Sequence, residues 1–240
     1  MEEAAYKRVL LKLSGEFLLG SKPFGIDTDV LGYIADEIRS IMDMGIEIGI
    51  VIGGGNIYRG VEVSSRGIDR ASADNMGMLA TVMNSIAMES SFERVGIPVR
   101  VLCAVEMKRV VEFFIREKAI KYLADKKVVI FAGGTGNPFF TTDTAASLRA
   151  LEIKADIILK ATKVDGVYDM DPVVHKDAVK FRRISYNEVL SRNLRVMDAT
   201  AISLCRDNNL PVIVFNLGKE GNIKNAVCGK DVGTIVGAEP

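Results

Sequence analysis

The segment Val128-Val-Ile-Phe-Ala-Gly-Gly-Thr-Gly-Asn-Pro-Phe-Phe-Thr-Thr-Asp143 joins a short apolar run to a glycine-rich, polar turn. The apolar run predicts a buried β-strand. The glycines after it allow backbone N–H groups to approach an anion without interference from a Cβ, and a helix that starts just beyond adds its positive end. The segment therefore predicts a phosphate-binding turn at the carboxyl end of a strand.

Two other segments repeat this arrangement. Lys12-Leu-Ser-Gly15 ends the apolar run Val9–Leu13, and Gly53-Gly-Gly-Asn56 follows the run Ile48–Ile52. One glycine pair after a strand is typical of any tight turn. Three polar, glycine-bearing strand ends, one of them with a lysine, instead favour a site that holds more than one phosphate chain.

Short apolar runs alternate with helical patterns along the whole chain. The runs are Val9–Leu13, Ile48–Ile52, Val99–Cys103, Val128–Ala132, Ile157–Ala161 and Val212–Phe215. Runs that are apolar on both faces are typical of parallel strands covered by helices on each side. We predict an α/β fold, a three-layer αβα sandwich with a central, mainly parallel sheet, which binds ligands at the carboxyl ends of its strands.

Helix boundaries can be read from capping residues. Apolar residues from Val30 to Met42 recur at three-and-four spacing, and Asp27 or Thr28 caps the start. A longer helix is predicted over Ala73–Val95. We interpret its four methionines as packing residues rather than as a cofactor site: Met76, Met78, Met83 and Met88. Two further helices open at the capping box Ser185-Tyr-Asn-Glu188 and at Asp198.

Composition limits the classes of partner and compartment. The chain has 240 residues, and its 31 basic and 31 acidic side chains cancel, so no global field favours nucleic acid or an anionic membrane. No linker, repeat or low-complexity tract divides it, and we expect one domain over residues 1–240. The acidic start does not fit a secretory signal, and no run approaches the roughly 20 apolar residues of a transmembrane helix. We expect a cytoplasmic protein without a membrane or nucleic-acid partner.

The cysteines and the histidine do not suggest a site. Cys103, Cys205 and Cys228 are far apart and form no CxxC spacing, so they predict reduced core thiols rather than disulfides or a zinc site. His175 lies in a polar stretch, which indicates a surface position. We expect no metal site made of protein ligands alone.

Several familiar nucleotide-binding motifs are absent from the sequence. It contains no G-x-x-x-x-G-K-[ST], no G-x-G-x-x-G and no protein-kinase signature set. What remains suits phosphoryl transfer, in which alignment and charge neutralisation supply most of the catalysis. Lys12, at the end of a predicted buried strand, would direct an ammonium group into the space between the glycine turns, and buried lysines are rare without such a role.

Five segments together resemble the bacterial uridylate kinases of the amino acid kinase superfamily, and the resemblance covers nearly the whole chain. They are Lys12-Leu-Ser-Gly-Glu16, Gly53-Gly-Gly-Asn56 with Arg59, Asp74, Gly136-Asn-Pro-Phe-Phe-Thr-Thr-Asp143 and Lys160-Ala-Thr-Lys-Val-Asp-Gly-Val-Tyr168. The Gly136–Asp143 segment is the most specific of these. The resemblance implies transfer of a phosphoryl group from ATP, with Mg²⁺, to UMP, in pyrimidine nucleotide synthesis.

The resemblance also implies site residues, with UMP bound by about residues 1–155 and ATP by about residues 156–240. The UMP set is Gly54, Asp74, Thr135, Gly136, Asn137, Pro138, Phe139, Phe140, Thr141 and Thr142. The ATP set is Lys12, Leu13, Ser14, Gly15, Gly55, Arg59, Thr162, Tyr168 and Asp171. From residue chemistry, Asp74 can accept hydrogen bonds from sugar hydroxyls, and a position at a helix start is its alternative.

Catalytic roles fall to four residues in this interpretation. They are Lys12, Asp143, Asp198 and Lys160, with Lys163 as an alternative source of the second positive charge. The two aspartates would orient lysines near the transferred group. Helix capping is the alternative for both aspartates.

Regulation and assembly are implied by the same resemblance. It suggests a homohexamer that GTP activates and UTP inhibits, with a GTP site formed by Gly20, Ser21, Lys22, Pro23, Phe24, Gly25 and Arg100. This chain has Met88-Glu-Ser-Ser91 where many family members place an Arg-Asp pair of that site, so we expect a weak or altered response to GTP.

Two other functions remain open from the sequence. One is a nucleotide or oxyanion sensor of the same fold without catalysis, against which Lys12 and Asp143 argue. The other is a sister kinase that acts on a carboxylate, carbamate or other acceptor, which the Gly136–Asp143 segment disfavours.

Overall fold

A computed structural model of the chain describes residues 3–58, 67–194 and 196–238. The described part contains one sheet of nine strands, in the order β4-β3-β5-β2-β1-β6-β8-β9-β7. The strands are β1 Arg8–Leu13, β2 Glu47–Ile52, β3 Val99–Cys103, β4 Glu112–Phe113, β5 Val128–Ala132, β6 Ile157–Thr162, β7 Arg183–Ser185, β8 Val212–Asn216 and β9 Gly233–Gly237.

The sheet is mainly parallel, as the sequence predicts. Every described pairing is parallel except that of β8 with β9. The six predicted runs all form strands, each within one residue of its predicted ends. The sequence pattern missed β4, β7 and β9, which lie toward the two edges of the sheet.

Seven α-helices and a 3₁₀ turn accompany the described strands. The 3₁₀ turn is Gly15–Leu19, and the helices are α1 Thr28–Met42, α2 Arg70–Arg94, α3 Arg116–Ala124, α4 Thr142–Glu152, α5 Tyr186–Ser191, α6 Ala199–Asp207 and α7 Asn222–Val227. Asp27 caps α1, Ser185 forms the predicted capping box with Glu188, and Asp198 caps α6. The predicted helix over Ala73–Val95 begins three residues earlier, where Asp69 caps it.

Two apolar cores cover the two faces of the sheet and produce the predicted three layers. One core contains residues of α1, α2 and α7, and the other contains residues of α3, α4, α5 and α6. Within β1, Val9 and Leu11 belong to the first core and Leu10 to the second. This alternation is that of a strand buried on both sides.

Three packing predictions can be compared with the structure. Cys103 and Cys205 are buried free thiols and His175 is exposed, as predicted, whereas Cys228 is only half-buried. The prediction that the α2 methionines are packing residues is confirmed for Met88 but wrong for Met76 and Met83, which are 42% and 55% exposed. They lie on a side of α2 that faces away from the sheet. No helix in the described ranges is long and apolar enough to cross a membrane.

Candidate active site

Strands β1 and β6 bring two lysines side by side. Lys12 and Lys160 are paired in the parallel register of these strands. Their neighbours Leu10 and Ile158 belong to the core that contains α4 residues, so both lysines lie on that face of the sheet. Their side chains are only 10% and 13% exposed. Two ammonium groups in this position repel each other and require an anion.

Asp143 supplies that anion from the first turn of α4. Its Oδ1 lies 2.6 Å from Lys12 Nζ, and its Oδ2 accepts a hydrogen bond from Lys160 Nζ at 2.8 Å. Lys160 Nζ also donates to the carbonyl of Val196. We call Lys12, Asp143 and Lys160 the lysine–aspartate cluster. It carries a net charge of about +1, from two ammonium groups and one carboxylate, and therefore favours a further anion.

The burial and the charges of the cluster shift its pKa values. Burial alone raises the pKa of Asp143, but the ammonium groups of Lys12 and Lys160 outweigh it, so this pKa lies below its ordinary value. Burial lowers the pKa of Lys160, and the charge of Lys12 adds to that effect while Asp143 opposes it. Asp143 therefore remains ionised at neutral pH.

Helix capping, the alternative role for both aspartates, applies to Asp198 but not to Asp143. Thr141 caps α4, since its hydroxyl accepts from Asp143 N and Thr144 N, so a capping role for Asp143 is wrong. Asp198 does cap α6, accepting from Ala201 N at 3.0 Å. Its carboxylate also accepts hydrogen bonds from the hydroxyls of Thr141 and Thr144. Asp198 thus holds the start of α4, from which Asp143 reaches the lysines.

A cavity of about 680 Å³ opens beside the cluster. Lys12 and Lys160 line it, and most of its other walls come from segment 161–172 and from residues 192–194 and 196. Of the predicted ATP residues, Lys12, Ser14, Thr162, Tyr168 and Asp171 line the cavity. Its volume is in the range that encloses a cofactor-sized ligand.

The remaining predicted ATP residues lie elsewhere or outside the description. Leu13 is fully buried in β1 and belongs to the core on the opposite face from Lys12. Gly15 packs against the neighbouring turn, where a Cβ would come within 2.4 Å of the Gly53 carbonyl oxygen. Gly55 does not line the cavity, and Arg59 lies outside the described residues.

Sequence reasoning missed part of the cavity wall. The additional lining residues include Glu16, Phe17, Arg192, Asn193, Leu194 and Val196. Glu16 and Phe17 directly follow the Lys12–Gly15 turn, so their position in the sequence could have indicated that they line the cavity. Residues 192–194 and 196 belong to no sequence motif that would mark them as part of a site.

A smaller cavity of about 130 Å³ lies between α2 and the turn after β5. Of the predicted UMP residues, seven line it: Gly54, Asp74, Thr135, Asn137, Phe140, Thr141 and Thr142. The other three, Gly136, Pro138 and Phe139, do not.

Asp74 joins α2 to the turn after β5. Phe139, which is 67% exposed, donates its backbone N–H to Asp74 at 2.8 Å. Asp74 also accepts from Arg70 Nε, and because Asp69 caps α2, the helix-start alternative for Asp74 is wrong.

Main-chain donors line the smaller cavity. The N–H groups of Gly54, Gly134 and Thr135 have no hydrogen-bond acceptor among the described residues. Gly134 has a φ of 57°, a conformation that favours glycine. Unpaired N–H groups of successive turn residues at a cavity wall are typical of anion sites. The smaller cavity can therefore bind a phosphate group.

The lysine–aspartate cluster lies between the two cavities. Thr142 lines the smaller cavity and precedes Asp143, while Lys12 and Lys160 line the larger one. A group that moved from one cavity to the other would pass the two ammonium groups. This arrangement suits transfer of an anionic group between two bound molecules.

The predicted GTP residues are not brought together within the chain. The Gly20–Gly25 segment contacts Asp27 and Asn56, and its Phe24 is 65% exposed. Arg100 donates to its neighbour Val99. No hydrogen bond or ion pair joins the segment to Arg100 in the part of the chain that the structure describes.

The cluster predicts a pH-dependent stability. Because the folded pKa of Asp143 lies below its ordinary value of 3.8, the carboxylate stabilises the fold above that pH, and the effect is lost as the pH falls through the folded value. We expect Asp143→Asn to lower the free energy of unfolding by about 3–5 kcal/mol at neutral pH, since two buried ammonium groups lose their shared counter-ion. Urea denaturation between acidic and neutral pH measures this.

The matched control for this measurement is Asp231→Asn. Asp231 pairs with Arg182 on the surface, where its side chain is 57% exposed, so we expect a change below about 0.5 kcal/mol. The Asp143→Asn deficit should shrink at acidic pH. A deficit of the same size at every pH would contradict this account of the cluster.

Comparisons with known proteins agree with this geometry. The profile of the amino acid kinase family matches residues 7–216. The structure of a UMP kinase from Bacillus anthracis superimposes with a TM-score of 0.95 at 43% identity, covering 98% of this chain and 97% of that one. A UMP kinase from Ureaplasma parvum gives 0.91 at 37% identity, covering 99% and 100%.

A third similar structure is more distant. The uridylate kinase from Archaeoglobus fulgidus gives a TM-score of 0.73 at 30% identity, covering 95% of this chain and 99% of that one. The similarity to all three extends over nearly the whole chain and includes both cavities and the cluster between them. The chain belongs to the amino acid kinase family and, within it, to the UMP kinases.

Proposed function

We propose that this protein transfers the γ-phosphoryl group of ATP to UMP, giving ADP and UDP, in a reversible reaction. One observation carries the proposal: the lysine–aspartate cluster lies between a nucleotide-sized cavity and a smaller cavity lined by main-chain donors. The 43% identity to the Bacillus anthracis UMP kinase supports it.

The smaller cavity is the proposed UMP side, within about residues 1–155. The N–H groups of Gly54, Gly134 and Thr135 would hold the acceptor phosphate, and Asp74 would accept from the ribose hydroxyls. The other residues of the 135–142 segment would surround the nucleotide from the solvent side. Phe140, which is 48% exposed, offers an apolar surface there.

The larger cavity is the proposed ATP side, formed mostly by residues after 156. Tyr168 and the 164–172 segment would hold the base and ribose, with Thr162 and Asp171 at the wall. The Lys12–Gly15 turn would hold the phosphates. Gly55 and Arg59 enter this proposal through the family resemblance alone.

The chemical step needs no covalent intermediate. A phosphate oxygen of UMP attacks Pγ, the bond from Pγ to the bridging oxygen breaks, and ADP leaves with the electron pair. Lys12 and Lys160 would neutralise the charge on the moving group, since preorganised cations at that point stabilise the transition state. Asp143 would orient both lysines, and Asp198 would act through Thr141 and Thr144.

Magnesium enters this proposal with ATP. No cluster of three or more His, Cys, Asp or Glu side chains that would hold a metal occurs among the described residues. The carboxylate of Asp143 is engaged by two lysines and that of Asp198 by two threonines. The chain therefore fits an ion bound mainly through phosphate oxygens, as Mg²⁺ usually is with nucleotides.

The wider setting follows from the reaction. UDP is a precursor for the other pyrimidine nucleotides, so we place the protein in pyrimidine nucleotide synthesis, upstream of CTP. A cytoplasmic location, where ATP and UMP are made and used, fits this role and stays a prediction.

We also propose a homohexamer. Four apolar side chains lie on one exposed stripe of α2 at spacings of three and four residues, between 37% and 55% exposed: Met76, Leu79, Met83 and Ile86. A contiguous exposed apolar patch of this kind marks a protein interface. We propose that this stripe is buried between subunits.

GTP and UTP are the proposed effectors, as activator and inhibitor. The GTP site of the family resemblance would involve Arg100, beside which this chain carries Glu89. The Glu89 carboxylate accepts from Val101 N at 3.2 Å, and burial raises its pKa. Carboxylates next to Arg100 reduce its attraction for phosphates, which supports a weak response to GTP.

The activity is tested by ADP release with ATP, magnesium and UMP, beside CMP, dUMP and no acceptor. We expect turnover with UMP, and a loss of roughly a hundredfold or more in kcat for Lys12→Met, the scale of one lost electrostatic contact in the transition state. Lys121→Met, an exposed lysine on α3, is the matched control and should retain activity. Tight nucleotide binding without turnover on any acceptor would instead favour a sensor.

The assembly is tested by sedimentation. We expect the wild type at about six times the chain mass of 26.1 kDa and Met83→Glu as smaller species, because a buried carboxylate at an apolar interface lacks a partner. Lys121→Glu is the control for added negative charge. A monomeric wild type, or a hexameric Met83→Glu, would contradict the proposed interface.

The GTP response is tested in the same activity assay. We expect GTP to change the rate by less than about twofold, a coupling of under about 0.4 kcal/mol. Several-fold activation by GTP would contradict the proposal of a weak response.

A further inference from the structure

Helix α2 directs buried polar side chains at the glycine turns. Thr81 is 3% exposed and Asn84 is fully buried. A polar group in such a position costs free energy unless it is hydrogen-bonded, and an apolar side chain would pack the same space at lower cost. The partners of Thr81 and Asn84 therefore indicate what these residues do.

Asn84 holds the turn that follows β2. Its Nδ2 donates to the Gly53 carbonyl at 2.7 Å and to Asn56 Oδ1 at 2.7 Å, while its Oδ1 accepts from Asn56 Nδ2 at 2.9 Å. In a trans peptide the carbonyl of one residue and the N–H of the next point in opposite directions. The bond from Asn84 points the Gly53 carbonyl toward α2, so the Gly54 N–H of the same peptide points away from α2.

Thr81 holds the turn that follows β5. Its hydroxyl accepts from Gly133 N at 2.9 Å and donates to the carbonyl of Met78 at 2.7 Å. The other side of the same peptide is fixed too, because the Ala132 carbonyl accepts from Ala104 N at 3.0 Å. The peptide between Ala132 and Gly133 is therefore fixed at both ends, and the next peptide, which carries the Gly134 N–H, is held by the bond from Gly136 N to the Gly133 carbonyl at 2.9 Å.

The first turn also packs directly against the helix. A Cβ on Gly54 would come within 2.8 Å of Ala80 Cβ and 2.9 Å of the Gly77 carbonyl oxygen. This contact is too close for an intervening water. This packing fixes the distance between α2 and the turn at Gly54, and the hydrogen bonds fix the orientation of its peptides.

We propose that Thr81 and Asn84 are positioning residues of the acceptor-phosphate site, a role that rests on the proposed function. They hold the two turns that carry the N–H groups of Gly54, Gly134 and Thr135, three residues that line the smaller cavity, and Thr81 itself forms part of the cavity wall. The hydroxyl of Thr81 already donates and accepts one hydrogen bond each, and the Nδ2 protons of Asn84 are both engaged. Loss of Thr81 weakens UMP binding and leaves ATP binding unchanged, because Thr81 holds the turn after β5 and not the Lys12–Gly15 turn.

The test compares KM for UMP, KM for ATP and kcat, together with calorimetric UMP binding in the absence of ATP. Thr81→Val, which keeps the shape and removes the hydroxyl, should raise the Kd and KM for UMP about tenfold, equivalent to about 1.4 kcal/mol. KM for ATP should change by less than about twofold, and Thr81→Ser should restore UMP affinity. We expect Asn84→Ala to raise the Kd and KM for UMP as well.

Ser85→Ala is the matched control. Ser85 carries a buried hydroxyl on the same helix, and its one hydrogen bond within the described ranges goes to the carbonyl of Thr81, so its loss should not change UMP affinity. Circular dichroism checks folding, and Thr81→Ala replaces Thr81→Val if the latter is unfolded. Normal UMP affinity in the folded Thr81 variants, or equal losses for UMP and ATP, would overturn the inference.

The same experiment separates this inference from the proposed function. A wild type that neither binds nor phosphorylates UMP defeats the proposed function, and the inference with it. A wild type that binds UMP, beside a Thr81→Val variant that binds it equally well, defeats the inference alone.

Discussion

Two lysines held in register on neighbouring buried strands are the constraint on which the rest of this structure depends. Lys12 and Lys160 would repel each other across the sheet, and burial lowers the pKa of Lys160. Asp143 offsets the repulsion, and it reaches both lysines because α4 starts at the carboxyl ends of β1 and β6. The cap at Thr141 and the hydrogen bonds from Asp198 place that start. The sheet register, the helix cap and the contact between α4 and α6 thus serve one ionic group, and that group requires an anionic ligand to balance its remaining charge.

The glycine turns complete the site by a different means. They carry partial positive charge on main-chain N–H groups, which hold their positions without rotamer freedom and need no counter-ion. Their conformation must then be fixed from outside, since glycine is the most permissive residue. Helix α2 supplies the fixed points through Thr81 and Asn84. The site therefore combines strongly charged side chains on the sheet with weakly charged, rigid donors in the loops.

Much of this arrangement could be predicted from the sequence, and the failures have physical causes. Buried central strands appear as aliphatic runs, so all six were found, but β4 and β7 are only two and three residues long and β9 begins and ends in glycine. Lys12 was found because a lysine at the end of an apolar run is unusual. Whether Asp143 caps a helix or pairs with lysines depends on tertiary position, which spacing does not encode. The exposed Met76 and Met83 were misjudged because hydrophobic spacing does not distinguish a buried face of a helix from an exposed apolar stripe.

The glycines of the site have a consequence for how it can be mapped by mutation. A truncation scan removes side-chain atoms, and the groups that we propose to hold the acceptor phosphate belong to the main chain, which truncation leaves in place. Such a scan would identify the supports and overlook the donors themselves. Adding a single carbon is the informative change: at Gly54 it would meet Ala80, and at Gly15 the carbonyl of Gly53. The absence of a side chain at these two glycines is therefore a requirement of the site. Glycine-to-alanine substitution, which is mild at most exposed positions, is expected to be damaging at Gly54 and Gly15.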